Sequence, residues 1–267
     1  MTIEQFWHGK LRRPYRLHIA YYGEEGKPVI VLLHGIAASG EDWRALIPLL
    51  TPYYRCITID LLGFGRSPKP QWAEYDMAQH LRAVRCTLRS LHIPKPYILV
   101  GHSLGSLLAT RYVRRYPAGI GRLVLLSPPV YPPLDTIEGK LALRRTDLLM
   151  RLYRTIREHP RMTPANVQRL SRLGAIPRSV VTSPDTWLPF KRSLQRCIEQ
   201  QTVLEDIRGI RAPIEIMYGT LDTVVVGANV RTLARLRDVS VHTFTGKHAL
   251  GHVYAKAAAK LLVPMEP

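Results

Sequence analysis

The chain has 267 residues, 46% of them hydrophobic and 22% charged, which suits one large or two small globular domains and argues against disorder. No stretch reaches the about 20 consecutive apolar residues of a membrane-spanning helix, so no membrane span is expected. Lysine and arginine number 38 against 20 acidic residues, a formal net charge of +18; they are scattered, without a run of five or a nucleic-acid motif. Solvated faces are therefore expected, with an anionic surface or substrate as the alternative and no nucleic-acid partner.

Residues 1–10 mix Glu4, Gln5 and His8 with two aromatics and lack the charged start and apolar core of a secretory signal, so the expected compartment is cytoplasmic. Cys56, Cys86 and Cys197 are odd in number and far apart. They read as small buried hydrophobes, not as disulfide partners or zinc ligands. Residues 15–22 nearly alternate and run into the turn Gly23-Glu24-Glu25-Gly26, which predicts a hairpin at a sheet edge.

Strand-like apolar runs follow at 29–33, 55–60, 97–100, 123–126, 214–218 and 239–244. Between them, Met77, Leu81, Val84, Leu88 and Leu91 recur at helical spacing, and 104–116 does the same before Pro117. This alternation predicts an α/β fold with a mostly parallel central sheet flanked by helices. Four of the runs end in turns carrying Gly, Asp or Ser, at 34–35, 60–63, 101–105 and 219–222, where open α/β sheets place their sites. The rhythm breaks over 130–200, which has no strand-like run and is punctuated by Pro132, Pro133, Pro160, Pro164, Pro177, Pro184 and Pro189. A helical insertion is expected there, dividing a core of residues 1–129 and 201–267.

The sharpest motif is Gly101-His102-Ser103-Leu104-Gly105, a G-x-S-x-G placed after an apolar run and before a helical stretch. A turn that tight exposes the serine above the sheet and leaves no room for bulk two positions either side. The Leu104 amide, opening a helix, would point at a forming oxyanion. A serine hydroxyl needs a base, and the base an orienting carboxylate; on this type of fold the chain order is Ser, acid, His. Asp222, just past the 214–218 run, is the expected acid, with Asp135 as its competitor behind a Pro-rich loop. His248, in the loop after the last run, is the expected base; His252 is the alternative and His242 lies within the run itself. The second oxyanion donor is expected from His34-Gly35-Ile36 as the Ile36 amide. His34 reads as structural. His102 has the same structural reading and also stands, with Gly35 and Trp187, as a candidate substrate contact.

These residues together make the sequence resemble the α/β-hydrolase superfamily. The matching pieces are V-I-V-L-L-H-G-I at 29–36, Trp43, I-D-L-L-G-F-G-R-S at 59–67, G-H-S-L-G, G-T-L-D and G-K-H. The resemblance implies Ser103 as nucleophile, His248 as base, Asp222 as orienting acid, Ile36 and Leu104 as oxyanion donors, and 130–200 as a helical cap that sets substrate choice. It implies a serine hydrolase of carboxylic esters working through an acyl-enzyme, with no metal or organic cofactor; monomer and homodimer both stay open. Leu149, Leu152, Tyr153, Trp187 and Phe190 are among the apolar residues offered as pocket lining, for a small ester substrate that the cap arginines leave open to being anionic. Thioester or carbon–carbon bond hydrolysis on the same triad is the alternative, and a non-catalytic binding module a further one. Haloalkane dehalogenase-like and epoxide hydrolase-like members place Asp where this chain has Ser103.

Overall fold

The computed structural model describes residues 2–11, 13–172 and 182–264. A seven-stranded sheet organises them: β1 (Ile19–Tyr22), β2 (Val29–Leu33), β3 (Arg55–Ile59), β4 (Tyr97–His102), β5 (Ile120–Leu126), β6 (Ile214–Gly219) and β7 (Val239–Phe244), in the spatial order β1-β3-β2-β4-β5-β6-β7. All neighbours pair in parallel except β1 with β3. Every residue of β2 is buried, as a central parallel strand covered on both faces requires. The expected hairpin does not form. The turn at 23–26 leads from β1 to β2, yet β1 runs antiparallel to β3, with Ile19 opposite Ile59. The edge position is as predicted; alternation shows which face is buried but does not name the partner strand.

The helices are α1 (Ile47–Leu50), α2 (Met77–Ser90), α3 (Leu104–Arg115), α4 (Lys140–Glu158), α5 (Pro164–Arg172), α6 (Pro184–Ser193), α7 (Val203–Arg208), α8 (Gly227–Arg231) and α9 (His252–Leu262). They cover both faces. One packs Leu81, Val84 and Leu88 of α2 and Leu104, Leu107 and Leu108 of α3 against Val31, Leu33, Leu99 and Leu125. The other packs Trp43, Leu46 and Leu50 with Tyr254, Ala255, Ala258 and Leu262 of α9 against Ile30, Leu32, Val100 and Val124. Asp76 starts α2 by accepting the Gln79 amide at 2.7 Å, which satisfies one of the unpaired donors of a first turn.

Between β5 and β6 the described residues form α4, α5, α6, a π-helical turn over Leu194–Glu199 and α7, with no strand among them. Pro177 falls outside the described residues. Pro164 and Pro184 open α5 and α6, where the missing amide hydrogen costs nothing. Of the three cysteines, Cys56 and Cys197 are buried as expected, while Cys86 is only half-buried.

Candidate active site

The loops that follow β2, β4, β6 and β7 meet at one end of the sheet. Ser103 sits between β4 and α3 with φ 52° and ψ −118°, a backbone state costing of order 1–3 kcal/mol for a residue with a side chain. The surroundings hold it there. Its amide donates to Leu126 O at 2.9 Å, and its carbonyl accepts from the Ser106 amide at 2.9 Å. A Cβ on Gly101 would run into the Gly105 carbonyl, and one on Gly105 would stand 2.6 Å from His34 O. Both glycines of the motif are thus required by the close passage of backbone.

The expected acid and base meet. Asp222, in the loop after β6, accepts from His248 Nδ1 at 2.7 Å through Oδ2, and both side chains are buried. Its Oδ1 accepts the Val224 amide at 2.9 Å and the Val225 amide at 3.1 Å. Burial alone would raise its pKa. The His248 charge, the hydrogen bonds from His248 and the Val225 amide, and the nearby Ser127 hydroxyl outweigh it and hold the carboxyl below its usual range. Leu221 N donates to Gly246 O at 2.9 Å, so the acid and base loops are tied by main chain as well.

Ser103 and His248 line one cavity of about 80 Å³ together with Ile36 and Thr223. Its walls are otherwise apolar, from Leu149, Leu152, Tyr153 and Ile156 of α4, Phe190 of α6, and Leu194 and Ile198 beyond it. Ser103 Oγ makes no hydrogen bond among the described residues. The amides of Ile36 and Leu104 likewise donate to no group among them.

Of the candidate substrate contacts, none lines the cavity. Gly35 backs the serine: a Cβ there would lie 3.2 Å from Ser103 Cβ. His102 is buried behind the elbow, where Nε2 donates to His248 O at 2.9 Å. Burial, and next the His248 charge, push its pKa down to about 3. Trp187 stacks on Phe190 with centroids 5.6 Å apart and carries Lys191 over its ring, so it supports a wall residue from outside. His34 is structural as expected: Nδ1 donates to Gly35 O at 2.7 Å and Nε2 accepts the Leu61 amide at 2.8 Å. Burial lowers its pKa to about 4.

The competitors lie elsewhere. Asp135 is exposed in a 3-10 turn, His252 opens α9, and His242 lies along β7 near Glu215. Sequence reasoning missed Pro129, Ile156, Leu194, Ile198, Thr223 and Val224 of the cavity wall, and Ser127 near Asp222. Ile156 carried a signal, since 149, 152, 153 and 156 follow the i, i+3, i+4, i+7 pattern of one helix face. Among the described residues, no arginine or lysine lines the cavity.

Comparison with known proteins agrees with this architecture. A family model described as alpha/beta hydrolase fold matches residues 28–151. The chain is 35% identical over 115 residues to probable lysophospholipase BODYGUARD 1 of Arabidopsis thaliana, covering 41% of this chain and 24% of that protein. It spans less than a third of the length of the curated relatives it matches. Among solved structures, a haloalkane dehalogenase loop variant from Bradyrhizobium elkanii superposes with a TM-score of 0.74 at 20% identity, over 92% of this chain and 91% of that one. The enol-lactonase of Burkholderia xenovorans superposes at 0.70 with 20% identity, over 92% and 95%. The chain has the α/β-hydrolase fold.

Proposed function

We propose that this protein is a serine hydrolase of short-chain carboxylic esters, working through an acyl-enzyme on Ser103. The observation that carries the reading is the buried 2.7 Å His248–Asp222 pair, whose histidine lines the same cavity as the strained Ser103. With Nδ1 of His248 donating to Asp222, Nε2 is the basic nitrogen. It takes the Ser103 proton as Oγ attacks the acyl carbonyl, and returns it to the departing alcohol. The same nitrogen then takes a proton from water as that water attacks the acyl-enzyme, and the carboxylic acid leaves with Ser103 restored. Asp222 stays ionised throughout. The unengaged amides of Ile36 and Leu104 serve the oxyanion, supplied by the fold before the charge develops.

Residues 130–200 act in this reading as the cap of a core formed by 1–129 and 201–267. Support comes from the cavity wall, most of whose apolar side chains belong to α4, α6 and the turn that follows. At about 80 Å³ the cavity has roughly half the volume of an engineered cavity of ~150 Å³ that takes a benzene ring. It suits acyl chains of about two to four carbons, and the apolar side chains that line it among the described residues favour a neutral acyl group over an anionic one. The haloalkane dehalogenase neighbours share the fold, but Ser103 stands where the dehalogenase resemblance calls for a carboxylate.

The test is hydrolysis of p-nitrophenyl esters from acetate to laurate by the wild type and Ser103→Ala. Turnover that peaks at or below butyrate and falls at least about 10³-fold in the variant is the expected result. Folded protein that turns over none of these esters, or a variant as active as the wild type, defeats the reading.

A further inference from the structure

Most apolar side chains of the core helices are buried, whereas those at the start of the chain, ahead of the buried Tyr15, are exposed. Residues Gln5–Lys10 form a π-helical turn none of whose residues is buried, closed by Leu11 N donating to Phe6 O at 3.0 Å. Ile3, Trp7 and Leu11 recur every fourth position with Phe6 beside Trp7, and they are 88%, 49%, 47% and 39% exposed for Ile3, Trp7, Leu11 and Phe6. Isolated exposed apolar residues need no explanation, but a row of four large ones within one short segment does.

The orientation is fixed from the other side. His8 stacks on the buried Tyr15 ring at 3.8 Å between centroids, and its Nδ1 donates to Arg13 O at 2.7 Å. Arg13 N donates to Trp7 O at 3.1 Å. The turn is therefore held by its polar side, with the apolar row left facing water. Cations stand at the aromatic rings: Lys10 Nζ is 5.9 Å from the Phe6 centroid and the Arg13 guanidinium 5.6 Å from that of Trp7. Glu4 is the one carboxylate within residues 2–11.

We propose that this segment docks the protein on an anionic lipid surface, with Phe6, Trp7 and Leu11 entering the headgroup region and Lys10 and Arg13 meeting lipid phosphates. Large apolar side chains flanked by lysine and arginine are the composition of helices that lie in a membrane interface. Charge decides between occupants. A second copy would bring another +18 chain and its Lys10 and Arg13 against the same row, whereas an anionic bilayer attracts each basic residue near it with about 1 kcal/mol. No helix among the described residues is long and apolar enough to cross a membrane, and surface docking requires none.

The position relates docking to the cavity. A Cβ on Gly9 would lie 3.9 Å from Trp72 Cδ1, so the segment abuts the loop at 70–75. That loop is gripped by Arg192 of α6, which donates to Gln71 O and Ala73 O, two residues beyond the wall residue Phe190. The docked face thus flanks the helices that cover the cavity. This inference does not depend on the ester reading.

The experiment is flotation of the full chain with vesicles of phosphatidylcholine alone or with about a third phosphatidylglycerol, at low and high potassium chloride. Wild type is expected to float with the anionic vesicles only, about tenfold or more above the neutral ones, and to be released by salt as charges are screened. Phe6→Ser/Trp7→Ser and Lys10→Gln/Arg13→Gln, each checked for unchanged circular dichroism and melting, are each expected to lose about tenfold. Absence of flotation with anionic vesicles overturns the proposal. So does binding that survives Phe6→Ser/Trp7→Ser, since net charge alone then explains it, or a concentration-dependent dimer that the same variant abolishes, since a second copy then covers the row.

Discussion

His102 Nε2 donates to the main-chain carbonyl of His248 at 2.9 Å, so the residue preceding the strained serine holds the loop that carries the histidine. A hydrogen bond through the backbone fixes where the His248 ring starts from, and Asp222 fixes how it is turned. Exchange of His102 for Leu is therefore expected to lower kcat about 10- to 100-fold, the range for displacing a catalytic group by a fraction of an ångström, with KM nearly unchanged. Steady-state kinetics on a short ester separates this from a substrate contact, which would raise KM and spare kcat.

Asp222→Asn keeps an oxygen for the Val224 and Val225 amides but presents an NH₂ group to His248 Nδ1. The ring must then carry its proton on Nε2, where it cannot accept one from Ser103. A fall in kcat of about 10³- to 10⁴-fold is expected, together with little change in the acyl-chain preference. A variant within tenfold of wild type would show that Asp222 does not orient the base.

The α4 stripe sets chain length in the proposed pocket. Leu149 is a partly buried wall residue, so Leu149→Ala opens space at less cost than truncating the buried Ile156, for which about 2–5 kcal/mol is typical. The ratio of hexanoate to acetate turnover is expected to rise about tenfold, roughly the worth of one or two methylenes in an apolar pocket. An unchanged ratio would mean that the acyl chain lies elsewhere.

Acid sensitivity has a definite source. Burial holds His80 and His102 neutral, with pKa values near 3, and His34 near 4, all below the ordinary 6.5. The unfolded chain takes up these protons as pH drops below 6.5 and the folded chain does not. Stability is therefore full above that pH and declines toward the folded values, each histidine contributing about 1.4 kcal/mol per pH unit. Asp42, raised to about 6 by burial, acts in the opposite sense between its folded and unfolded values. His80→Gln is expected to flatten the slope of unfolding free energy between pH 6 and pH 4 by about 1.4 kcal/mol per unit relative to wild type, measured by urea titration at fixed ionic strength. An unchanged slope would mean that His80 is protonated in the fold.

Much of the arrangement was legible because parallel strands announce themselves. Continuous apolar runs located six of the seven strands, and polar residues just past their ends pointed to Ser103, Asp222 and His248, which do converge. What stayed hidden depends on three-dimensional rotation. The partner of β1 is decided by packing of the sheet edge, not by alternation within residues 19–22. Trp187 and Phe190 are three residues apart, yet only Phe190 turns into the cavity while Trp187 lies behind it. His102 looked like a contact because it neighbours the serine, but successive residues of a strand face opposite ways. Thr223 and Val224 enter the wall only because Asp222 pulls their loop around its carboxylate.

His102 and His248 are 146 positions apart, and the loops they join lie on strands that bracket the whole helical insertion. Closing a span that long is entropically late in any folding sequence, because the non-local strand pairing of β5 with β6 must precede it. A chain emerging from the ribosome can complete the β1–β5 part of the sheet, elbow included, long before its histidine exists. Under the proposed function, hydrolysis then requires His248 to be in place, and the return of activity on refolding is expected to report the docking of β6 and β7.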